Sequence, residues 1–187
     1  MWALVESGSV SKVFARPKQL TLGDVQYPSN IFMLWSSSEL EAIGIYEIVI
    51  DNSNLKDKEY YINTDQSFSF SSGTVTATYG TATAKPLNDS GSGDTLVKGL
   101  KTLHKEVINS QAAGNLSPTD WMVVRAAEGG TAVPSSITTQ RAAVRTKANA
   151  MCTQIDNAAD VDALAALYVY NNADPAVRPI GELPTVG

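Results

Sequence analysis

The ten residues KPLNDSGSGD, at positions 85–94, divide the chain into two parts of different character. Before them, aromatic and β-branched residues alternate with polar ones, as in half-buried strands; after them, apolar residues recur at helical spacing. The dividing stretch is polar and rich in Gly and Ser, which is typical of a flexible linker. The sequence therefore predicts an α+β fold with segregated halves. The predicted parts are a β-rich domain at 1–85, a flexible linker at 86–94, a helical domain at 95–170 and an irregular tail at 171–187.

The first part predicts a small antiparallel β domain with one short helix. Two apolar runs, 2–6 and 9–14, flank Ser7-Gly8, a pair that suits a hairpin turn. Residues 36–44 have a serine that can cap a helix, acids in its first turns and a glycine that can end it. Further strands are predicted by the apolar or alternating runs at 45–50, 59–63, 66–70 and 73–84.

The second part predicts a helical hairpin or bundle. The first helix has a broad apolar stripe with three further residues beside it, Val97, His104 and Ile108. The stripe consists of Leu96, Leu100, Leu103 and Val107. Ser117-Pro118-Thr119-Asp120 is a helix-start pattern, and Pro134 opens a longer helix. One face of the longer helix is predicted to carry Ile137, Arg141, Val144, Ala148, Met151 and Ile155. The tail after the last short helix, at about 161–168, is expected either to lie on a partner or to stay mobile.

Composition makes several classes of protein poor candidates. The chain has 187 residues, of which 18% are charged, and a net charge of −5. An acidic chain is a poor nucleic-acid binder, because such binding depends on Lys and Arg neutralising phosphates. No apolar run is long enough to span a membrane, and the N-terminal residues lack the features of a signal peptide. The single cysteine excludes an internal disulfide.

The inventory of reactive side chains is small. The chain has one histidine, His104, and one cysteine, Cys152, and no catalytic, phosphate-binding or zinc-binding motif. We expect both residues to be packed in helices as structural side chains. The sequence therefore predicts a protein that is not an enzyme and that binds no cofactor and no metal.

Two pairs in the helical part are candidates for partner binding. Trp121 and Arg125 are one turn apart, so the guanidinium can lie over the indole. Such a pair serves either as a local staple or as an interface anchor, since Trp and Arg are frequent in binding hot spots. Arg141 lies on the apolar face, with Arg145 one turn later. A buried arginine needs a carboxylate, which either Asp120 or Glu128 can supply, and the alternative is contact with a partner.

Aromatic residues are concentrated in the β part. Tyr60, Tyr61 and Tyr79 can stack on sugar rings or on a neighbouring subunit if their rings are exposed, and otherwise they belong to the core.

The helical part resembles a known family. The stretches LSPTDWMVVRAAE (116–128), TAVP (131–134) and RAAVR (141–145) are similar in order and spacing to a pattern of phage tail-fibre assembly chaperones and related tail proteins. The resemblance covers about residues 95–170. The sequence departs from the pattern at Met122, where the family usually has tyrosine, and in the long Ser/Gly joint before the helices.

The resemblance implies a protein that contacts a phage tail fibre or baseplate, either as an assembly chaperone or as a resident tail component. Its location would then be the virion tail, or the host cytoplasm during assembly, and it would belong to an oligomeric assembly. Neither nucleic acid nor a membrane is an expected partner. The alternative is a receptor- or glycan-binding tail module that uses the three tyrosines.

Overall fold

The computed structural model describes residues 1–186; Gly187, the last residue of the predicted tail, lies outside the described residues. The chain forms two compact units, one from Met1 to Thr83 and one from Ala84 onward. The first contains an antiparallel-rich sheet and the second contains helices, which confirms the predicted α+β class.

The first unit is built on a five-stranded sheet in the order β2-β1-β5-β8-β7. The strands are β1 (Trp2–Glu6), β2 (Ser9–Phe14), β3 (Leu20–Leu22), β4 (Val25–Tyr27), β5 (Ile45–Asp51), β6 (Tyr61–Ile62), β7 (Gln66–Ser71), β8 (Thr74–Tyr79) and β9 (Thr83–Ala84). Two small sheets pair β3 with β4 and β6 with β9. Two short helices, α1 (Ile31–Leu34) and α2 (Ser37–Ala42), precede β5.

One strand pair differs from the predicted antiparallel arrangement. β5 runs parallel to β8, with Ile48 opposite Val75. The connection 52–73 takes the chain back along the sheet and forms β7 on the way, so β8 starts at the same end as β5. Parallel neighbours need such a long connection, whereas β7 and β8 are joined by a tight antiparallel turn.

Local sequence determines the first hairpin turn and the two ends of the short helix α2, both of which the sequence predicts. Ser7 and Gly8 both have positive φ, 52° and 77°, as a two-residue hairpin turn requires. The hydroxyl of Ser36 and the carboxylate of Glu39 form a capping box at the start of α2. Gly44 follows the end of α2 with φ 81°, and a Cβ there would lie 2.9 Å from the carbonyl oxygen of Val5. Only glycine fits this position without strain.

Side chains alternate between two cores on opposite faces of the sheet. Leu4 and Ile45 face a cluster that α1 and α2 cover, and its buried members are Leu4, Phe14, Leu20, Ile31, Phe32, Leu40 and Ile45. Ala3 and Ile48 face the other cluster, together with Val75 and Ala77. Phe68 and Phe70 pack on this second cluster.

The two edge strands of the five-stranded sheet approach each other. β2 and β7 are in contact, and Val10 and Val13 of β2 pack on the same cluster as Phe68 and Phe70 of β7. The sheet is therefore curled towards a small barrel around that cluster.

The second unit pairs two long helices. Its helices are α3 (Leu100–Leu116), α4 (Asp120–Ala127), α5 (Ser135–Asp156) and α6 (Val161–Ala166), with single 3₁₀ turns at Gly93–Thr95 and Ser117–Thr119. α3 and α5 run antiparallel: Lys105 pairs with Asp156 at one end, and Arg141 donates to the carbonyl of Leu116 at the other. Five of the six residues on the predicted face of α5 are buried, namely Arg141, Val144, Ala148, Met151 and Ile155; the sixth, Ile137, is half-buried.

The buried face of α3 differs from the predicted stripe. It consists of Leu100, His104, Ile108 and Ala112, whereas the predicted stripe residues Leu96, Leu103 and Val107 are exposed. Leu100 of the predicted stripe is buried, and so are His104 and Ile108, which the sequence placed beside it.

The segment predicted as a flexible linker, 86–94, lies within the second unit and contacts the start of α3. The carboxylate of Asp89 accepts a hydrogen bond from the amide of Gly99 at 2.8 Å. The carbonyls of Pro86 and Leu87 accept from the next two amides. The first amides of a helix need acceptors, and this polar segment supplies three of them.

The described part of the tail, 171–186, packs on the helices of its own unit, instead of lying on a partner or remaining mobile. Ile180 is fully buried, and its carbonyl accepts a hydrogen bond from Lys147. Gln154 and Asn115 donate to the carbonyls of Pro179 and Pro184.

Candidate protein-interaction surface

α4 is delimited by a proline-containing turn and a glycine pair. The Ser117–Thr119 turn has proline in its first positions, and Gly129, with φ 85°, follows the helix. The amide of Gly130 donates a hydrogen bond to the carbonyl oxygen of Arg125 at 3.0 Å. A Cβ at Gly130 would lie 2.9 Å from that oxygen, so the turn that ends α4 requires glycine.

α4 is an unusually exposed helix for its composition. Six of its eight residues are apolar, yet none of the eight is buried. Trp121 is 54% exposed and Val124 is 55% exposed. An exposed cluster of large apolar residues on a short helix is typical of a surface that another molecule covers.

The Trp121–Arg125 stack predicted from helical spacing is present. The Arg125 guanidinium carbon lies 4.8 Å from the centre of the indole ring. The Nε atom of Arg125 is buried, and no group among residues 1–186 accepts a hydrogen bond from it. The stack holds the indole in place on the helix, and this is compatible with either the staple or the anchor hypothesis.

Arg141 belongs to the internal structure of the helical unit. Its guanidinium donates to the Leu116 carbonyl at 2.7 Å, to the Thr119 hydroxyl at 2.6 Å and to the Asp120 carboxylate at 2.7 Å. Of the two predicted partners, Asp120 and Glu128, it is Asp120 that pairs with it. Because only 10% of the Arg141 side chain is exposed, its main role is to fix the start of α4 against α5.

Arg145 has the opposite environment, although it lies one turn further along α5. It is exposed and borders a shallow groove of about 250 Å³ between α4 and α5. The groove is lined by Val123, Val133, Thr138, Arg141 and Arg145. Val123, Val133 and Thr138 were not among the predicted site residues, because ordinary valines and threonines carry no local signature of binding.

The three tyrosines predicted as stacking platforms do not form one exposed set. Tyr60 is 5% exposed and belongs to the interior, so its ring is not available to a sugar. Tyr61 is half-buried, with the Lys56 ammonium over its ring. Tyr79 is also half-buried, and its carbonyl accepts a hydrogen bond from Asn54.

His104 and Cys152 occupy packed positions. His104 is 7% exposed and its ring lies against Tyr168, 4.9 Å between centroids. Burial raises the pKa of the Cys152 thiol, although Lys105 nearby acts in the opposite direction. A raised pKa keeps the thiol protonated near neutral pH, and the protonated form is the less reactive one.

Residues 1–186 contain no group of three or more His, Cys, Asp or Glu side chains arranged to hold a metal ion. None of their helices is both long and apolar enough to cross a membrane.

Two exposed features of the helical unit are therefore the strongest candidate site: the side of α4 that carries Trp121 and Val124, and the groove lined by Val123, Val133 and Arg145. We call the two together the α4–α5 surface. Comparison of the chain with protein-family models, with curated proteins and with solved structures gives no match.

Proposed function

We propose that this protein makes protein–protein contacts in a bacteriophage tail, and that the α4–α5 surface binds a tail-fibre or baseplate protein. The observation that supports the proposal most directly is α4 itself: a largely apolar helix without a buried residue. Burying an apolar side chain stabilises a complex by about 25 cal/mol per Å² of surface removed from water. A partner that covers Trp121 and Val124 would gain that stabilisation.

The phage context of the proposal rests on the family resemblance of residues 95–170. The most specific part of that resemblance, LSPTDWMVVRAAE at 116–128, coincides with α4 and the turn before it. The residues that resemble the family and the residues that expose apolar surface are thus largely the same. Two modes of action are compatible with the proposal, a released assembly chaperone and a resident tail component.

The glycan-binding alternative has less support. It required exposed rings at Tyr60, Tyr61 and Tyr79, and Tyr60 is buried. The α4–α5 surface also suits a polypeptide better than a sugar, because its exposed side chains are mostly aliphatic.

Co-expression with a phage tail-fibre protein, followed by a pull-down, tests the proposal. We expect Trp121→Ala to abolish capture, because hot-spot tryptophans contribute about 2 kcal/mol or more to binding. Leu34→Ala is the matched control, since Leu34 is 74% exposed but lies in the β unit. Equal capture of both variants would contradict the proposal, provided that circular dichroism shows both folded.

Mass spectrometry of purified virions separates the two modes of action. A resident component would be present in stoichiometric amounts, whereas a released chaperone would be found only in the lysate. Absence of this protein from both fibre complexes and virions would contradict the proposed function.

A further inference from the structure

The charge of the helical unit is unevenly distributed along the sequence. The chain as a whole is acidic, with a net charge of −5, yet residues 129–155 contain two arginines and one lysine and no Asp or Glu. This stretch forms the turn after α4 and nearly all of α5. The helix that borders the groove is therefore a basic element in an acidic protein.

The cations of α5 are not equivalent. Arg141 is paired with Asp120, and the Lys147 ammonium donates to the carbonyl of Ile180 in the tail. Arg145 is exposed at the rim of the groove, and no carboxylate of residues 1–186 forms an ion pair with it. The uncompensated positive charge at the groove is thus the guanidinium of Arg145.

The groove beside Arg145 has a mostly apolar surface. Val123, which is 42% exposed, and Val133 both line it. The volume of about 250 Å³ is sufficient for one or two aliphatic or aromatic side chains, but it is too small for a folded element. A partner would therefore insert a side chain and lay the rest of its segment along the rim.

We infer that the α4–α5 surface binds a partner segment in which an apolar side chain, seated between Val123 and Val133, is accompanied by a carboxylate that pairs with Arg145. This inference rests on the proposed function and specifies the chemistry of the partner. A guanidinium binds a carboxylate through two parallel hydrogen bonds, and charge complementarity selects partners and speeds association. An acidic segment is preferred over a basic or neutral one of equal hydrophobicity.

Selection from a yeast-displayed library of random short peptides tests this inference with the full-length protein as target. We expect the enriched peptides to carry Asp or Glu within about one helical turn of Leu, Ile, Met or Phe. Their binding should weaken as salt is raised, because ion pairs at a surface are screened.

Charge reversal provides the matched comparison. Arg145→Glu should weaken binding of the selected peptides by about tenfold or more, while Arg16→Glu, the same charge change at an exposed position of the β unit, should leave binding unchanged. Val123→Asp should also abolish binding, because it places a carboxylate in the apolar part of the groove. Enriched peptides without acidic bias, failure to enrich any peptide, or equal binding by Arg145→Glu would each overturn the inference.

The outcomes separate this inference from the proposed function. Acidic peptides that bind the groove while no tail protein is captured would support the chemistry of the site and contradict its phage role. Capture of a tail protein that is sensitive to Trp121→Ala but insensitive to Arg145→Glu would support the phage role and contradict the inferred chemistry of the site.

Discussion

Arg141 and Arg145 show how far two identical side chains can differ within one helical turn. The first is nearly enclosed, with three acceptors around its guanidinium; the second projects into solvent. The register of α5 decides this difference, because Arg141 falls on the buried ridge with Val144 and Ala148. One arginine thus serves the fold, and the other is available to a partner.

Replacement of the two arginines should separate these roles. We expect Arg141→Ala to lower the free energy of unfolding by about 2 kcal/mol, since it removes the hydrogen bonds that Arg141 donates to the Leu116 carbonyl, the Thr119 hydroxyl and the Asp120 carboxylate. The loss should be smaller than for a fully buried ion pair, because the Asp120 side chain is 58% exposed. Arg145→Ala should change stability by less than about 0.5 kcal/mol. Urea unfolding measures both, and equal losses would contradict this assignment.

A polar cluster of Tyr170, Arg178 and Glu182 holds the tail. The Tyr170 hydroxyl donates to Glu182 at 2.7 Å, and Arg178 pairs with the same carboxylate. These two hydrogen bonds, that of Tyr170 first, lower the pKa of Glu182 below its ordinary value of 4.5. The same contact raises the pKa of Tyr170 above 10.0.

The direction of both shifts defines a pH window. A carboxyl group with a lowered pKa stabilises the folded state above pH 4.5, and the contribution disappears as the pH falls through the lowered value. The raised pKa of Tyr170 makes its contribution complete below pH 10.0 and lost above the raised value. Glu182→Gln should therefore destabilise the protein at neutral pH, and its unfolding midpoint should converge with that of the natural protein in acid. Parallel midpoints from neutral pH to pH 3 would contradict the role of Glu182.

Spacing along the sequence predicted residue contacts only where both partners lie on helices. The Trp121–Arg125 stack and the choice of Asp120 as a possible partner of Arg141 follow from turn spacing and helix pairing. The burial of Tyr60 beside a half-buried Tyr61 could not be predicted in this way. Tyr60 lies in a turn before β6, where no period determines which side chain points inwards.

At the scale of elements, α3 shows why an apolar stripe does not always identify a buried face. Leu103 and Val107 are more hydrophobic than His104 and Ala112, but it is the latter pair that is buried. Small residues such as Ala112, and Ala148 on α5, allow two helices to approach closely, whereas hydrophobicity alone ranks them low. Leu103 and Val107 therefore remain as additional exposed apolar surface.

Two glycines allow a test of backbone requirements in different elements. Gly44 has positive φ, and its Cβ position is 2.9 Å from the Val5 carbonyl oxygen, whereas the Cβ position of Gly114 in α3 meets nothing within 4 Å. We expect Gly44→Ala to destabilise the protein by about 1 kcal/mol or more. Gly114→Ala should stabilise it by about 0.5–1 kcal/mol, because alanine favours the helix. Thermal unfolding would contradict this reasoning if both substitutions changed the midpoint in the same direction.

The segments predicted as a flexible linker and as a mobile or partner-bound tail have the same kind of sequence. Both are polar, contain proline and lack an apolar period, a pattern that predicts mobility or contact with a partner. Both segments are instead held largely through their backbone carbonyls, by amides at the start of α3 and by Lys147, Gln154 and Asn115. Such contacts use the main chain of the segment, so its sequence gives little indication of them.

At the scale of the whole molecule, the division into two units predicts two independent folding domains. Each unit has its own apolar interior, which is what a domain needs to fold alone. We expect a fragment of residues 1–84, which retains both residues of β9, to give dispersed amide resonances in a ¹H–¹⁵N NMR spectrum. The fragment that begins at residue 85 should show the cooperative thermal transition of a helical bundle.

Either fragment can contradict the independent folding of the two units. A narrow range of amide shifts for residues 1–84, or gradual loss of helix on heating the second fragment, would show that the units need each other to fold. If the native spectrum appeared only on mixing the fragments, this too would show that the units need each other to fold.

The curled sheet of the first unit affects how readily copies of the chain associate at high local concentration. In an open sheet, the outermost strands present unsatisfied amide and carbonyl groups that can recruit a strand from a neighbouring molecule and start fibrous aggregation. Here β2 and β7 turn towards each other over a shared set of valines and phenylalanines, which restricts the access of a foreign strand to those groups. The curled sheet therefore limits strand-by-strand association between copies of the chain.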